Sequence, residues 1–227
     1  QWMAKTSNNA SGMSACRVDG SGRGHRELTG FLQDGKEVVV QEYVEHRDSP
    51  SVNLWIDQQG RVTPLFLSGQ ILSGSETGTQ VHEGNVFPAD LPQATKSDLV
   101  RKSIRLARQI HQLTGYWGPI GVDWILGQDR HLAVEVNARI TGPWYPWMTM
   151  KRLGAGSFAS VNHHFSPGLS AESVRHRLDE VFWDSRAGAG VLFFNFNPID
   201  GKLALISLAN CPEEAGEYLS QAQHLLT

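Results

Sequence analysis

Cysteine is scarce in this sequence. Only Cys16 and Cys211 occur in 227 residues, far apart and without metal-ligand spacing. The expectation is two free thiols in a reducing, cytoplasmic compartment, with one disulfide as the alternative. Long apolar runs are also missing. The longest, such as residues 38–40 and 191–194, are strand-sized, against the ~20 residues of a membrane span, so no membrane partner is expected. Neither sign of charge dominates: the formal charge is −3, with no basic stripe to hold nucleic acid. The sequence has no Gly-x-Ser-x-Gly, no nucleophilic Cys-His pair and no Walker-type phosphate loop, which disfavours covalent hydrolase and P-loop readings. There is no internal repeat or low-complexity tract. Hydrophobic residues at 40% and charged residues at 19% suit a globular chain. The chain opens Gln1-Trp2-Met3-Ala4-Lys5, without a signal peptide's charged and apolar regions. It reads as though it starts mid-strand, so a longer protein is expected.

Several elements are legible. Residues 2–5 and 16–18 pair as a hairpin around the small, polar segment 6–15, and a short helix falls within 21–33. Residues 38–44 are strongly β-prone. Residues 51–57 and 61–67 flank Gln58-Gln59-Gly60 and suit an antiparallel hairpin, with a loop over 73–80. The clearest helix is 96–114, where Val100, Ile104, Ala107 and Ile110 or His111 recur at helical spacing before Gly115. Strands at 120–126 and 131–136 are joined by the polar turn Gly127-Gln128-Asp129-Arg130. Residues 145–165 are helical in part. A helix at 171–183, strands at 189–196 and 202–208, and a helix at 212–226 opened by Pro212 complete the chain. Mixed elements with several hairpins mean α+β, not a doubly wound parallel sheet.

The densest chemistry lies in Gly121-Val-Asp123-Trp-Ile-Leu and Ala133-Val-Glu135-Val-Asn137-Ala-Arg139. Alternate residues of a strand share a face, so Glu135, Asn137 and Arg139 point one way and Asp123 comes opposite them. Two carboxylates and an amide oxygen are hard ligands. They suit Mg²⁺ when phosphate oxygens fill the remaining positions. The competing reading is a strand that is merely polar on its solvent face.

This pair of strands resembles the metal-binding hairpin of the ATP-grasp superfamily. The resemblance implies that Asp123, Glu135 and Asn137 hold Mg²⁺, or Mn²⁺, against the ATP phosphates. It implies that Arg139 stabilises the transferred phosphoryl group. Thr141-Gly142 and Pro143-Trp144-Tyr145-Pro146 would form the loop leaving toward substrate. Lys5 and the segment through Ser11, Gly12 and Met13 to Arg17-Val18 stand where the family has its phosphate-binding lysine and mobile loop. Thr6 replaces the usual proline, and Ala10 and Ser14 stand where glycines are common, implying a stiffer loop or a less common subfamily. Residues 38–44, apolar and then abruptly polar, read alone as a buried strand reaching the surface. By resemblance they form the hinge whose Gln41, Glu42, Tyr43 and Val44 hold adenine, with Asp48 on the ribose and Glu45 as second choice.

The implied architecture is an ATP-grasp fold: two α+β lobes with antiparallel sheets clasping ATP. Residues 1–46 would be the small lobe, 47–165 the large lobe, and 166–227 a C-terminal extension packed on it. The tail more weakly resembles pheganomycin-type peptide ligases, which implies a further N-terminal domain in the full-length protein. The implied activity is carboxylate–amine ligation through an acyl phosphate, with a small-molecule acid as donor and an amino acid or peptide amine as acceptor. The alternatives are a phosphotransferase with a hydroxyl acceptor and a non-catalytic nucleotide-binding module. Donor, acceptor and oligomeric state stay open. His82-Glu83-Gly84-Asn85 reads as a turn, with facing an acceptor substrate as the alternative. His163-His164 read as surface residues on a helix. Trp144 and Trp147 could wall a pocket or pack the core.

Overall fold

The computed structural model describes residues 1–6, 15–20, 22, 24–74 and 80–227. Ser11, Gly12 and Met13 lie outside them. Strands β1 (Trp2–Thr6), β2 (Ala15–Val18) and β3 (Val38–Glu42) form an antiparallel sheet in the order β2-β1-β3. Helix α1 (His25–Gln33) packs against β2. The small side chains Ala4 and Cys16 face each other across β1 and β2 and are fully buried.

The remaining strands make one nine-stranded antiparallel sheet. They are β4 (His46–Asp48), β5 (Pro50–Ile56), β6 (Val62–Gly74), β7 (Gln80–Phe87), β8 (Gly118–Gly127), β9 (His131–Asn137), β10 (Ser157–His164), β11 (Gly190–Asn197) and β12 (Lys202–Ala209). The order is β11-β12-β10-β7-β6-β5-β8-β4, with β9 also paired to β8. The architecture is α+β with antiparallel sheets, as the sequence pattern implies.

Two helices cover one face of this sheet. Helix α2 (Gln93–Thr114) lays Leu99, Ser103 and Ala107 onto Val52, Leu54 and Ile56 of β5 and Ile120, Val122 and Trp124 of β8. Trp124 Nε1–H donates to Ser103 Oγ at 2.9 Å, satisfying both buried polar groups. Gly115 stops the helix in the left-handed region, φ 71°, where its N–H donates to His111 O at 2.8 Å. Helix α5 (Pro212–Leu226) buries Ala215, Leu219, Ala222 and Leu226, one stripe at helical spacing, against β10, β11 and β12. Pro212 and two acidic residues in its first turn favour that end as the start. No helix among the described residues is long and apolar enough to cross a membrane.

The opposite face carries helix α3 (Trp144–Leu153) over Phe158, Ile206 and Leu208. Trp147 stacks on Phe66 at 4.7 Å and Trp144 meets it edge-on at 5.9 Å, so both tryptophans pack the core. Helix α4 (Ala171–Arg177) is capped by Ser170, whose Oγ accepts from Ser173 N–H.

Four expectations are corrected. His163 and His164 lie on a strand, not a helix, because β10 pairs with both β7 and β12. They therefore point to opposite faces, and burial holds the half-buried His163 below its usual pKa. Residues 82–85 are strand, not turn. Residues 38–42 are an edge strand with Val39 and Val40 52% and 55% exposed, not a buried one. Residues 144–146 are the first turn of α3 rather than a loop, with Pro143 at its N-cap. Both cysteines are free, Cys16 buried and Cys211 exposed.

Candidate active site

The open face of the sheet is built by period two. In β5 the apolar Val52, Leu54 and Ile56 go to α2, leaving Ser51 and Asn53 on the other side. In β8 the same alternation leaves Gly121 and Asp123 there. Register then joins neighbours on one face: Ser51 opposes Asp123 and Ser68, Asn53 opposes Gly121, Asp123 opposes Glu135, and Gly121 opposes Asn137. A bulge in β9 between the Asp123 and Trp124 pairings sits directly beneath the carboxylates.

The structure therefore brings Asp123, Glu135 and Asn137 together. Asn137 Nδ2–H donates to Asp123 Oδ2 at 3.2 Å, which leaves the amide oxygen free to accept or ligate. Asp123 is half-buried, while Glu135 is exposed. Desolvation raises the Asp123 carboxyl above its usual pKa. A hydrogen bond from Ser51 opposes this, the Glu135 charge adds to it, and His82 and Arg139 offset it. A hard divalent cation between the two carboxylates would relieve the same repulsion. All the donors are oxygens, so the residues fit Mg²⁺. Among the described residues no three His, Cys, Asp or Glu side chains converge, so such a cation would take its remaining oxygens from a ligand such as a phosphate.

Arg139 is reached differently from the expectation. Strand β9 ends at Asn137, so period two does not carry to Arg139. A bend sets it instead, with Arg139 N–H donating to Asn137 O at 2.9 Å. Its guanidinium is exposed, donates to Ile140 O at 3.2 Å, and still acts on the charge of Asp123.

A buried network anchors this bend, and the sequence reading missed it. Thr141 Oγ1–H donates to Asn53 Oδ1 at 2.6 Å. Asn53 Nδ2 in turn donates to the Ser51 carbonyl and hydroxyl oxygens, each at 3.4 Å. Asn53 is fully buried and Ser51 nearly so. Gly121 is the close-approach position: a Cβ there would come within 2.6 Å of Thr141 Cγ2. The chain Thr141–Asn53–Ser51–Asp123 thus ties the segment after β9 to the carboxylate. The signal for it was the alternation of polar Ser51 and Asn53 with apolar Val52 and Leu54.

The open face continues through Gln70, which opposes Asn85, to Ser160. A bulge at Glu83 then resets β7, because Ile71 opposes Gly84 but Leu72 opposes His82. His82 is turned onto the face of Asn85, whose Oδ1 accepts from His82 Nε2–H at 3.3 Å.

The other expected ligand-binding residues are on elements other than the β8–β9 hairpin. Lys5 is half-buried in the centre of the three-stranded sheet, between Ala15 and Val39. Gln41 and Glu42 end β3, and Tyr43 N–H donates to Gln1 O at 3.0 Å. Arg130, from the β8–β9 turn, pairs with Glu42 at 2.6 Å and holds its carboxyl below the usual range. Arg17 stacks over Tyr43 at 4.4 Å and pairs with Glu45 at 3.7 Å. Val44 accepts at its carbonyl from His46 Nδ1 at 2.9 Å. Asp48 is exposed at the end of β4.

With this geometry in view, the family is settled by comparison. The model of the ATP-grasp domain matches residues 5–143, more than half of the chain, and the protein belongs to that family. Solved structures of similar fold include three from bacteria. N5-carboxyaminoimidazole synthetase from Staphylococcus aureus, complexed with ADP, is 9% identical with a TM-score of 0.64, covering 98% of this chain and 61% of that one. A biotin carboxylase–ATP complex from Campylobacter jejuni is 12% identical with a TM-score of 0.66, covering 100% and 57%. L-amino acid ligase from Bacillus licheniformis is 16% identical with a TM-score of 0.63, covering 100% and 63%. The chain thus spans about three-fifths of the length of these structures. No curated protein matches it.

Proposed function

We propose that this chain is the nucleotide-binding and catalytic core of a Mg²⁺-dependent, ADP-forming carboxylate–amine ligase. The observation that carries the reading is the convergence of Asp123, Glu135 and Asn137 on one face of β8 and β9, with Arg139 beside them. Family membership supports ATP as the nucleotide. A structure of similar fold that is an L-amino acid ligase supports an amine acceptor. The proposed lobes are residues 1–46 and 47–165 with the extension 166–227, and the two free cysteines support a reducing, cytoplasmic setting.

In this reading the adenine lies against residues 41–44 and the ribose meets Asp48. The phosphates run between Lys5 and the hairpin carboxylates. Mg²⁺ would be held by Asp123, Glu135 and Asn137 and, when bound, would supply charge neutralisation to the nucleotide phosphates. The Ser51–Asn53–Thr141 network keeps Asp123 and the bend at Arg139 in register. Arg139 presents a planar fork to the phosphoryl group as it moves to the donor carboxylate. The acyl phosphate so formed is attacked by the amine, and phosphate leaves.

The test is product analysis on the full-length protein with Mg-ATP and a panel of acids and amines. ADP, phosphate and an amide in equal amounts are expected. A stable phosphoester would mean a hydroxyl acceptor, and nucleotide binding without ADP formation would mean a passive module.

A further inference from the structure

Further along the same open face, past Asn85 and Ser160, is a recess of about 160 Å³ over β7, β10 and β11, roofed by the first turn of α3. The Glu83 bulge places His82 at one end of it, beside Asn85. Gly142 also lines it and directly follows Thr141 of the buried network, so the recess adjoins the segment that carries Arg139. Gly84 is forced by the packing beneath it, since a Cβ there would lie 1.8 Å from Ser160 O. One wall is aromatic, with Tyr145 and Phe194 rings 6.2 Å apart. Asn162 and Asn195 supply neutral hydrogen-bonding groups, Asn195 in a left-handed conformation at φ 50° within the irregular end of β11.

The charge of the recess is one-sided. Among the described residues no Lys or Arg lines it, and Glu83 is an exposed carboxylate with no cationic partner. A carboxylate entering here would lose water and meet no Lys or Arg, whereas an ammonium would meet Glu83 beside the aromatic wall.

We propose that this recess is the acceptor subsite, and that it takes an amine-bearing molecule of neutral or positive charge, such as an amino-acid amide or a peptide N-terminus, and rejects anionic ones. The proposal rests on the ligase reading above for the word acceptor, but its charge selectivity can be measured without turnover. The probes are L-tyrosinamide, a cation, and N-acetyl-L-tyrosine, an anion with the same ring, titrated calorimetrically into the full-length protein with Mg-ADP present.

Tyrosinamide should bind at least about tenfold more tightly than N-acetyltyrosine, the scale of one charge-assisted contact. Glu83→Gln should erase that preference, and Phe194→Ala should weaken both probes while leaving ADP affinity unchanged. Equal affinity for the two probes, binding of neither, or a preference that survives Glu83→Gln overturns the assignment. Selective binding without ADP formation from any acid supports the recess and removes the ligase reading. Amide formation whose acceptor KM is unmoved by Glu83→Gln and Phe194→Ala keeps the ligase reading and removes the recess.

Discussion

The two faces of the nine-stranded sheet are made from the same strands and do different work. Toward α2 and α5, β5, β8 and β12 present an almost unbroken apolar layer. Toward the other side the alternate residues of β5 and β8 are Ser51, Asn53, Gly121 and Asp123, with Glu135 and Asn137 beside them. Burial of the first face stabilises the fold. The second face holds polar groups that need partners, and it concentrates charge where a cation and phosphates could supply them. A change on one face should therefore show up in stability, and a change on the other in chemistry.

The sharpest break in that comparison is Glu135→Gln. It should abolish Mg²⁺-dependent turnover while leaving the melting temperature unchanged, since Glu135 is exposed. Kinetics across a Mg²⁺ titration, paired with thermal melts, check both halves. Leu54→Ala does the reverse. Leu54 is fully buried under α2, so the substitution should cost about 2–5 kcal/mol of stability, read by urea unfolding, with nucleotide affinity retained by the molecules still folded.

Arg139→Lys comes next. The charge stays and the fork is lost, so kcat should fall on the order of 10²-fold, the scale of one transition-state donor, with ATP affinity little changed. Equal losses in binding and turnover would argue against a role specific to the transition state. The smallest effect tests where the two faces meet. Asn53→Ala orphans the Thr141 hydroxyl in a buried site, so it should cost about 1–3 kcal/mol of stability. It should also lower turnover, because the bend at Arg139 loses its anchor. A stability loss with full activity would show that the network only fills space.

The legible parts of the sequence were those with an uninterrupted period. The 96–114 helix stood out because its apolar stripe recurs for about three turns before Gly115. The β8–β9 hairpin stood out because two β-prone runs flank a polar turn, and Asp123 and Glu135 do lie opposite each other. What was lost has physical causes. Gly84 looked like a turn signal, yet it is there because β10 passes too close for a Cβ, and the bulge at Glu83 breaks the alternation that would have marked β7. Residues 157–164 took their strand form from two pairing partners distant in sequence. Asn53 and Thr141 are 88 residues apart, so no local pattern joins them. Arg139 shares the site through a bend rather than through the strand period.

The central claim is that the polar face of β8 and β9 binds the metal that accompanies ATP. Calorimetric titration of ATP into the wild-type protein and Asp123→Asn, each with and without Mg²⁺, tests it most directly. The wild type should bind ATP more tightly with Mg²⁺. Asp123→Asn should lose that increment while keeping its Mg²⁺-free affinity and its melting temperature. If the variant shows the same gain from Mg²⁺ as the wild type, Asp123 is not a ligand and the hairpin is not the metal site.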